Sequence, residues 1–281
     1  MNYKDLYHEG IDILMSVGVA EAQLDARLLL EHICHTDRSY LLAHGEERVS
    51  DDLTDQYRSM IRERARRVPL QYITGTQEFM GKEFIVNEKV LIPRQDTECL
   101  VEEVLRYVED GARVLDLCTG SGCIIISIML YKNAITGVAC DLSDQALDVA
   151  RKNARDHGVI DQLDLVHCDL FDGIQGTFDV IVSNPPYIPT SIIDSLEPEV
   201  KDCEPRMALD GSADGYAFYR RIAKEAGRYL KIDGMLFLEI GFDQGTIVSD
   251  LLEEQGFADV RIIRDLSGND RVIVARHADH L

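Results

Sequence analysis

Four consecutive residues, Asn184-Pro185-Pro186-Tyr187, place an amide, two imino rings and a phenol directly after the apolar run Val180-Ile181-Val182. Such a run, ending in prolines, reads as a buried strand that stops and passes into a rigid loop. Neither proline has an N–H and both have a fixed φ, so the carbonyls around them are kept out of helix or ladder bonding and held still. Asn184 adds a side-chain carbonyl. Two acceptors held in this way suit the two hydrogens of a planar –NH2 group, and the Tyr187 ring offers a flat face to stack on it. Taken alone, the string fits equally well a strand followed by a proline turn. The residues upstream decide between the two.

Upstream, Val114-Leu115-Asp116-Leu117 leads into Cys118-Thr119-Gly120-Ser121-Gly122 and then the apolar stretch from Cys123, the order of a strand, a glycine turn and a helix. Gly120 and Gly122 let backbone approach a ligand, and the following helix end presents free N–H groups. A dinucleotide fingerprint is not met, because Ile125 stands where its third glycine belongs. Asp141 ends the next apolar run about 20 residues on, where a carboxylate can accept both hydroxyls of a ribose. Asp169 ends the run after that, where it can accept from an adenine amino group. Three acidic strand ends, this glycine loop and the Asn-Pro-Pro-Tyr loop are together far more specific than any one of them.

These residues need a sheet to gather them. From Ala112 short apolar strands alternate with helices: RVLDLC, a helix over 123–131, AITGVACD, a helix over 144–157, LDLVHCD and FDVIVSN. After the proline loop come a helix from about Tyr216 to Leu230, the strand MLFLEI, a helix over 244–255 and two closing strands near 260–264 and 271–275. The pattern predicts an α/β fold with a mostly parallel sheet covered on both faces, ligands at the carboxyl ends of its strands and an antiparallel strand closing the edge. Residues 3–67 instead show helical periodicity throughout, as in Leu6, Ile11, Leu14 and Val17 or Leu53, Tyr57, Met60 and Ile61. The basic run Arg62, Arg64, Arg66 and Arg67 that closes this helical stretch reads as a solvated helix end. Tyr72, Ile73, Phe84 and Val86 around Gly75 and Gly81 suggest a β-hairpin between two domains. Arg94 and Glu98 fall at the turn that opens a helix near Asp96, where a structural salt bridge and ligand contact are equally compatible with their positions.

At 281 residues, 46% of them hydrophobic, the chain can fill a large core or a large and a small one. Its start lacks the basic and apolar pattern of a signal peptide, and no stretch approaches the roughly 20 apolar residues that span a membrane. Seven scattered cysteines with no CxxC indicate neither a disulfide framework nor a metal site, and fit a reduced cytoplasm. His32, Cys34 and His35 fall together on a helical stretch, where a packed cysteine beside surface histidines is expected rather than a metal. The formal charge of −21 disfavours binding to naked nucleic acid and suits a soluble enzyme with a cationic ligand or partner.

Taken together, DLCTGSG, the Asp141 strand end and NPPY resemble the Rossmann-like S-adenosylmethionine-dependent methyltransferases. More narrowly, PLQYITGTQEFMGKEF, LIPRQDTE and CEPRMALDGSADGYAFYRRI resemble the peptide chain release factor glutamine methyltransferases, the HemK/PrmC family, over nearly the whole chain. The resemblance implies that Cys118, Thr119, Gly120, Ser121 and Gly122 wrap the methionine moiety of S-adenosyl-L-methionine. It also implies that Asp141 binds the ribose, that Asp169 and Leu170 flank the adenine next to Asn184, and that S-adenosyl-L-homocysteine is the product. Asn184, Pro185, Pro186 and Tyr187 would hold the substrate glutamine. The family usually has glycine where this chain has Cys118, and many relatives carry an aromatic residue at Leu170, so adenine stacking here would be aliphatic.

A glutamine amide nitrogen is a poor nucleophile, because its lone pair is conjugated with the carbonyl. Methyl transfer needs it held in line with the sulfonium methyl at roughly 3 to 3.5 Å, with acceptors for the charge it develops. An amino methyltransferase acting on a nucleic acid base would suit the same loop, but needs a basic surface that −21 charges disfavour. A non-catalytic module keeping the cofactor fold is the other alternative, and the intact Asn184 to Tyr187 string stands against it. The organisation expected is a helical substrate-recognition domain over 1–70, a hairpin linker over 71–94 and a methyltransferase domain over 95–281. The partner expected is a peptide chain release factor, with no direct nucleic acid, no membrane and no metal, and with the enzyme a cytoplasmic monomer.

Overall fold

The computed structural model describes residues 1–278, which fall into two compact units. The first comprises Met1–Thr76 with Glu197–Cys203, and the second Gln77–Leu196 with the residues from Glu204 onward.

In the first unit α1 (Tyr3–Ser16), α2 (Ala22–Cys34), α3 (Arg38–Ala43), α4 (Asp51–Ala65) and α5 (Leu70–Thr74) follow one another. Asn2, Asp37 and Ser50 start α1, α3 and α4 by accepting the N–H three residues on, the bond that an N-cap side chain supplies to an orphan donor. Leu6, Leu14, Leu29, Leu30, Tyr57 and Ile61 form the shared core. Gly10 is required there, since a Cβ would lie 2.1 Å from the Tyr57 hydroxyl.

Two expectations change in this unit. Arg64 is no solvated helix end: it is buried, and its guanidinium binds Asp25 at 2.7 Å and Glu199 at 2.9 Å, with Arg67 on the same Glu199 at 2.7 Å. The two arginines tie the distant 197–203 segment into the helical unit. Tyr72 and Ile73 are helical rather than extended, because Pro69 opens a turn that the left-handed Gly75 closes. The hairpin is correspondingly narrower, with β1 (Thr76–Phe79) and β2 (Lys82–Ile85) joined through Met80 and Gly81.

The second unit continues with α6 (Gln95–Tyr107), β3 (Arg113–Leu117), α7 (Cys123–Tyr131), β4 (Thr136–Asp141), α8 (Asp144–Asp156), β5 (Leu163–His167) and β6 (Phe178–Ser183). Three short helices follow, α9 (Thr190–Ile193), α10 (Pro198–Lys201, part of the first unit) and α11 (Arg206–Leu209). The chain then runs through α12 (Ala217–Ala226), β7 (Leu230–Glu239), α13 (Gly245–Glu254), β8 (Phe257–Arg264) and β9 (Asp270–His277). The sheet order is β5-β4-β3-β6-β7-β9-β8. Strands β3 to β7 are parallel. The expected antiparallel strand is β9, which lies one place in from the edge, between β7 and β8. Leu100, Val104, Ile124 and Ile128 cover one face of the sheet, and Tyr219, Ile222, Val248 and Leu252 cover the other. This is the two-sided burial that continuous apolar strands predict.

Candidate active site

The carboxyl ends of four parallel strands stand side by side, with Leu117 paired to Cys140 and Ser183, and Ser183 to Leu238. From β3 the chain moves outward to β4 and β5, then returns to β6 on the other side. At such a reversal the crossovers diverge and leave a crevice above the strand ends. An open cleft is found there, walled by the loops that follow β3, β4, β5 and β6.

Cys118, Gly120 and Gly122 all take left-handed backbone, with φ of +58°, +56° and +79°. The two glycines do different things. Gly120 lines the cleft, and a Cβ on it would meet nothing within 4 Å, so its bare backbone leaves room for a ligand. A Cβ on Gly122 would come within 3.0 Å of Ile126 Cδ1 and 3.2 Å of Ala150 Cβ, so this glycine serves the packing of α7 on α8. Cys118 holds a conformation that glycine adopts freely and other residues adopt at a cost of about 1 kcal/mol.

Asp141 Oδ2 accepts the Gly120 N–H and Oδ1 the Ser143 N–H, each at 2.9 Å. An ionised carboxylate has about four acceptor sites. The acceptor capacity left over can take ribose hydroxyls, so this carboxylate fits the ribose of an adenosyl cofactor. Burial raises the pKa of Asp141, against the pull of the backbone N–H groups of Ser143, Gly120 and Leu142. Beneath the loop, the fully buried Asp116 takes the Thr119 hydroxyl at 2.6 Å, and its own pKa is pushed up to about 7 by burial. On the far wall, Asp169 Oδ1 is 2.9 Å from Arg221, which leaves the other oxygen for a ligand. Leu170 is left-handed and buried, and its carbonyl accepts both the Cys140 and Cys168 thiols.

At the end of β6, Asn184 Nδ2 donates to Thr97 Oγ1 at 3.4 Å. Thr97 belongs to the first turn of α6 and is buried. Next to it lies Glu239, the last residue of β7, which is 1% exposed. Burial pushes the Glu239 pKa up to about 7, while Thr97, Arg271 and Asn184 pull it down and Asp96 pushes it up. The Tyr187 hydroxyl is 3.5 Å from Glu239 Oε1, and Gln244 Nε2 holds the Tyr187 carbonyl at 3.1 Å. The Pro185 carbonyl takes no hydrogen bond from any described residue.

Of the residues expected at the site, Cys118, Thr119, Gly120, Ser121, Asp141, Asp169, Leu170, Asn184 and Pro186 line one cleft. Gly122, Pro185 and Tyr187 adjoin these lining residues in the same two loops, and Tyr187 packs on the sheet core. Arg94 both lines the cleft and pairs with the buried Glu204, whereas Glu98 is structural, accepting the Met80 N–H at 2.6 Å. Sequence reasoning missed Thr97 and Glu239. The signal for Glu239 was present, since it ends an apolar strand as Asp141 does. Among the described residues no group of histidine, cysteine and carboxylate side chains is placed to hold a metal.

A mostly parallel sheet of this order, with a carboxylate beside a glycine loop at its switch point, is that of the Rossmann-like S-adenosylmethionine-dependent methyltransferases. The family model "Methyltransferase small domain" matches residues 95–194, and "PrmC N-terminal domain" matches residues 5–75. A solved Pyrococcus furiosus methyltransferase, 17% identical, shares the fold with a TM-score of 0.55 over 78% of this chain and 99% of its own. The release factor glutamine methyltransferase of Agrobacterium fabrum is 38% identical, covering 94% of this chain and 93% of that protein. The one from Geobacter sulfurreducens is 40% identical, covering 94% and 92%. The chain belongs to the release factor glutamine methyltransferase family. No helix among the described residues is long and apolar enough to cross a membrane.

Proposed function

We propose that this chain methylates the side-chain nitrogen of the glutamine in the Gly-Gly-Gln motif of peptide chain release factors, holding the amide between the Asn184 side-chain oxygen and the Pro185 carbonyl. One observation carries the assignment: Asn184 spends its NH2 on Thr97, so its oxygen is left over. S-adenosylmethionine, when bound, supplies an electrophilic methyl group on a sulfonium. Cys118 to Gly122 would hold its methionine part, Asp141 its ribose, and Asp169 with Leu170 its adenine. Asn184 and Pro185 accept the two amide hydrogens, and those bonds strengthen as the nitrogen becomes cationic, so they stabilise the transition state more than the ground state. Tyr187 backs the loop and helps exclude water. No side chain is needed as a base, because the methylated nitrogen is strongly acidic and can lose its proton to solvent.

The helical unit serves recognition of the intact factor, and the enzyme acts as a cytoplasmic monomer. Direct contact with nucleic acid is disfavoured by the charge of −21. The test incubates the full chain and labelled S-adenosylmethionine with a release factor, with the same factor lacking its Gly-Gly-Gln glutamine, and with DNA and RNA. Label confined to that glutamine is expected. Label on the altered factor, or on nucleic acid in preference, overturns the assignment.

A further inference from the structure

We infer that Thr97 and Glu239 are positioning residues that decide which end of the Asn184 amide faces the substrate. The inference rests on the reading above, in which the oxygen of Asn184 accepts from the substrate –NH2. An asparagine amide accepts at one end and donates at the other. Turned the wrong way, it would present hydrogens to hydrogens.

Asn184 Nδ2 lies 3.4 Å from Thr97 Oγ1, and the Thr97 hydroxyl is buried beside the Glu239 carboxylate. A threonine hydroxyl has one hydrogen, and an ionised carboxylate only accepts. With Glu239 ionised, the Thr97 hydrogen turns to Glu239 and the Thr97 oxygen is free to accept. Asn184 must then point Nδ2 at Thr97 and Oδ1 into the cleft. With Glu239 protonated, the carboxyl group donates to Thr97, the Thr97 hydrogen turns to Asn184, and the amide is equally well bonded the other way round. Glu239 is suited to this role because Thr97 and Asn184 both act on its carboxylate, while Oε2 is buried without a settled hydrogen-bond partner and the Tyr187 hydroxyl stands 3.5 Å from Oε1.

Every element around Glu239 contributes a titratable or charged group. Arg271 on β9 favours the ionised form, and is itself bound to Asp96 of α6 and to Asp265, each at 3.1 Å. Asp96 opposes ionisation. Tyr187 lies above, Cys123 of α7 feels the Glu239 charge, and Tyr219 of α12 donates to the Glu239 backbone carbonyl at 2.9 Å. Burial outweighs Arg271 and pushes the pKa up to about 7. The sign is that the productive amide orientation is present above this pKa and lost as pH falls through it.

The test measures kcat, KM and their pH dependence on the intact release factor, with S-adenosylhomocysteine affinity as a control. Thr97→Val should lower kcat roughly tenfold, the equivalent of one hydrogen bond, leave S-adenosylhomocysteine affinity unchanged and abolish the acid limb of the kcat profile. Thr97→Ser should restore both kcat and the limb. Glu239→Gln, which cannot titrate, should remove the limb even if kcat is reduced. A Thr97→Val enzyme with wild-type kcat and an unchanged acid limb overturns the inference, as does a Glu239→Gln enzyme that keeps the limb. Asn184→Ala separates the two levels of argument. If it too retains full kcat, the amide-holding role of Asn184 is what fails; if it is inactive while Thr97→Val is not, only the positioning role fails.

Discussion

The Gly120 N–H donates to Asp141 Oδ2 at 2.9 Å, so the glycine loop after β3 is latched to the end of β4. The carboxylate that would take a ribose is therefore the same one that shapes the loop.

Asp141→Ala should weaken S-adenosylhomocysteine binding by about two to four orders of magnitude. Two hydrogen bonds to a charged group, at about 1.5–3 kcal/mol each, are lost, and the loop is unlatched as well. Calorimetry checks this. Since the Asp141 pKa is raised by burial, wild-type affinity should begin to fall at a higher pH than an ordinary carboxylate would dictate.

Gly120→Ala and Gly122→Ala should fail differently. At Gly120 the added methyl costs about 1 kcal/mol of left-handed strain but projects into open cleft, so cofactor affinity falls while the fold persists. At Gly122 the methyl also meets Ile126 and Ala150, and overpacking costs about 1–3 kcal/mol more, so the melting temperature falls further. Equal losses of stability in both would show that the two positions are not distinct.

Asp116→Asn should stabilise the protein in a pH-dependent way. A carboxylic acid with a pKa near 7 when folded and near 4 when unfolded holds its proton better in the native state, so its contribution is present at low pH and lost as pH rises from about 4 to 7. Asparagine cannot ionise and still offers an oxygen to Thr119. The variant's advantage in unfolding free energy should be near zero at about pH 4 and on the order of 1–3 kcal/mol at pH 8. Denaturant melts at the two pH values decide it.

Arg64→Met should destabilise the helical unit by about 3–5 kcal/mol, because it leaves the buried Asp25 without its cation, while Glu199 keeps only Arg67. Replacing all three at once by apolar residues of similar volume should cost much less. Chemical denaturation of the single and triple variants measures the difference.

The sequence by itself determined the alternation of strands and helices, the class of sheet, and the two loops, after β3 and after β6, that meet at the cleft. These are local properties: an apolar run, a glycine turn or a proline pair acts through neighbours a few residues away. Asp141 and Asp169 could be placed because a strand end is legible wherever an apolar run stops. What lay beyond reach were partnerships between distant positions. Thr97 sits 87 residues before Asn184 in the chain, and Arg64 sits 135 before Glu199. Whether Arg64 ends in water or in a buried ion pair depends on which segment folds back on it, and nothing within a few residues of Arg64 says so. The narrower hairpin has the same cause, since Tyr72 and Ile73 suit strand or helix equally and the turn from Pro69 to Gly75 settles them. The tertiary structure alone decided that Gly120 leaves room while Gly122 fills none, and that Glu239 stands under the Asn184 loop. Both follow from which strands become neighbours, a choice made by the packing of the whole sheet.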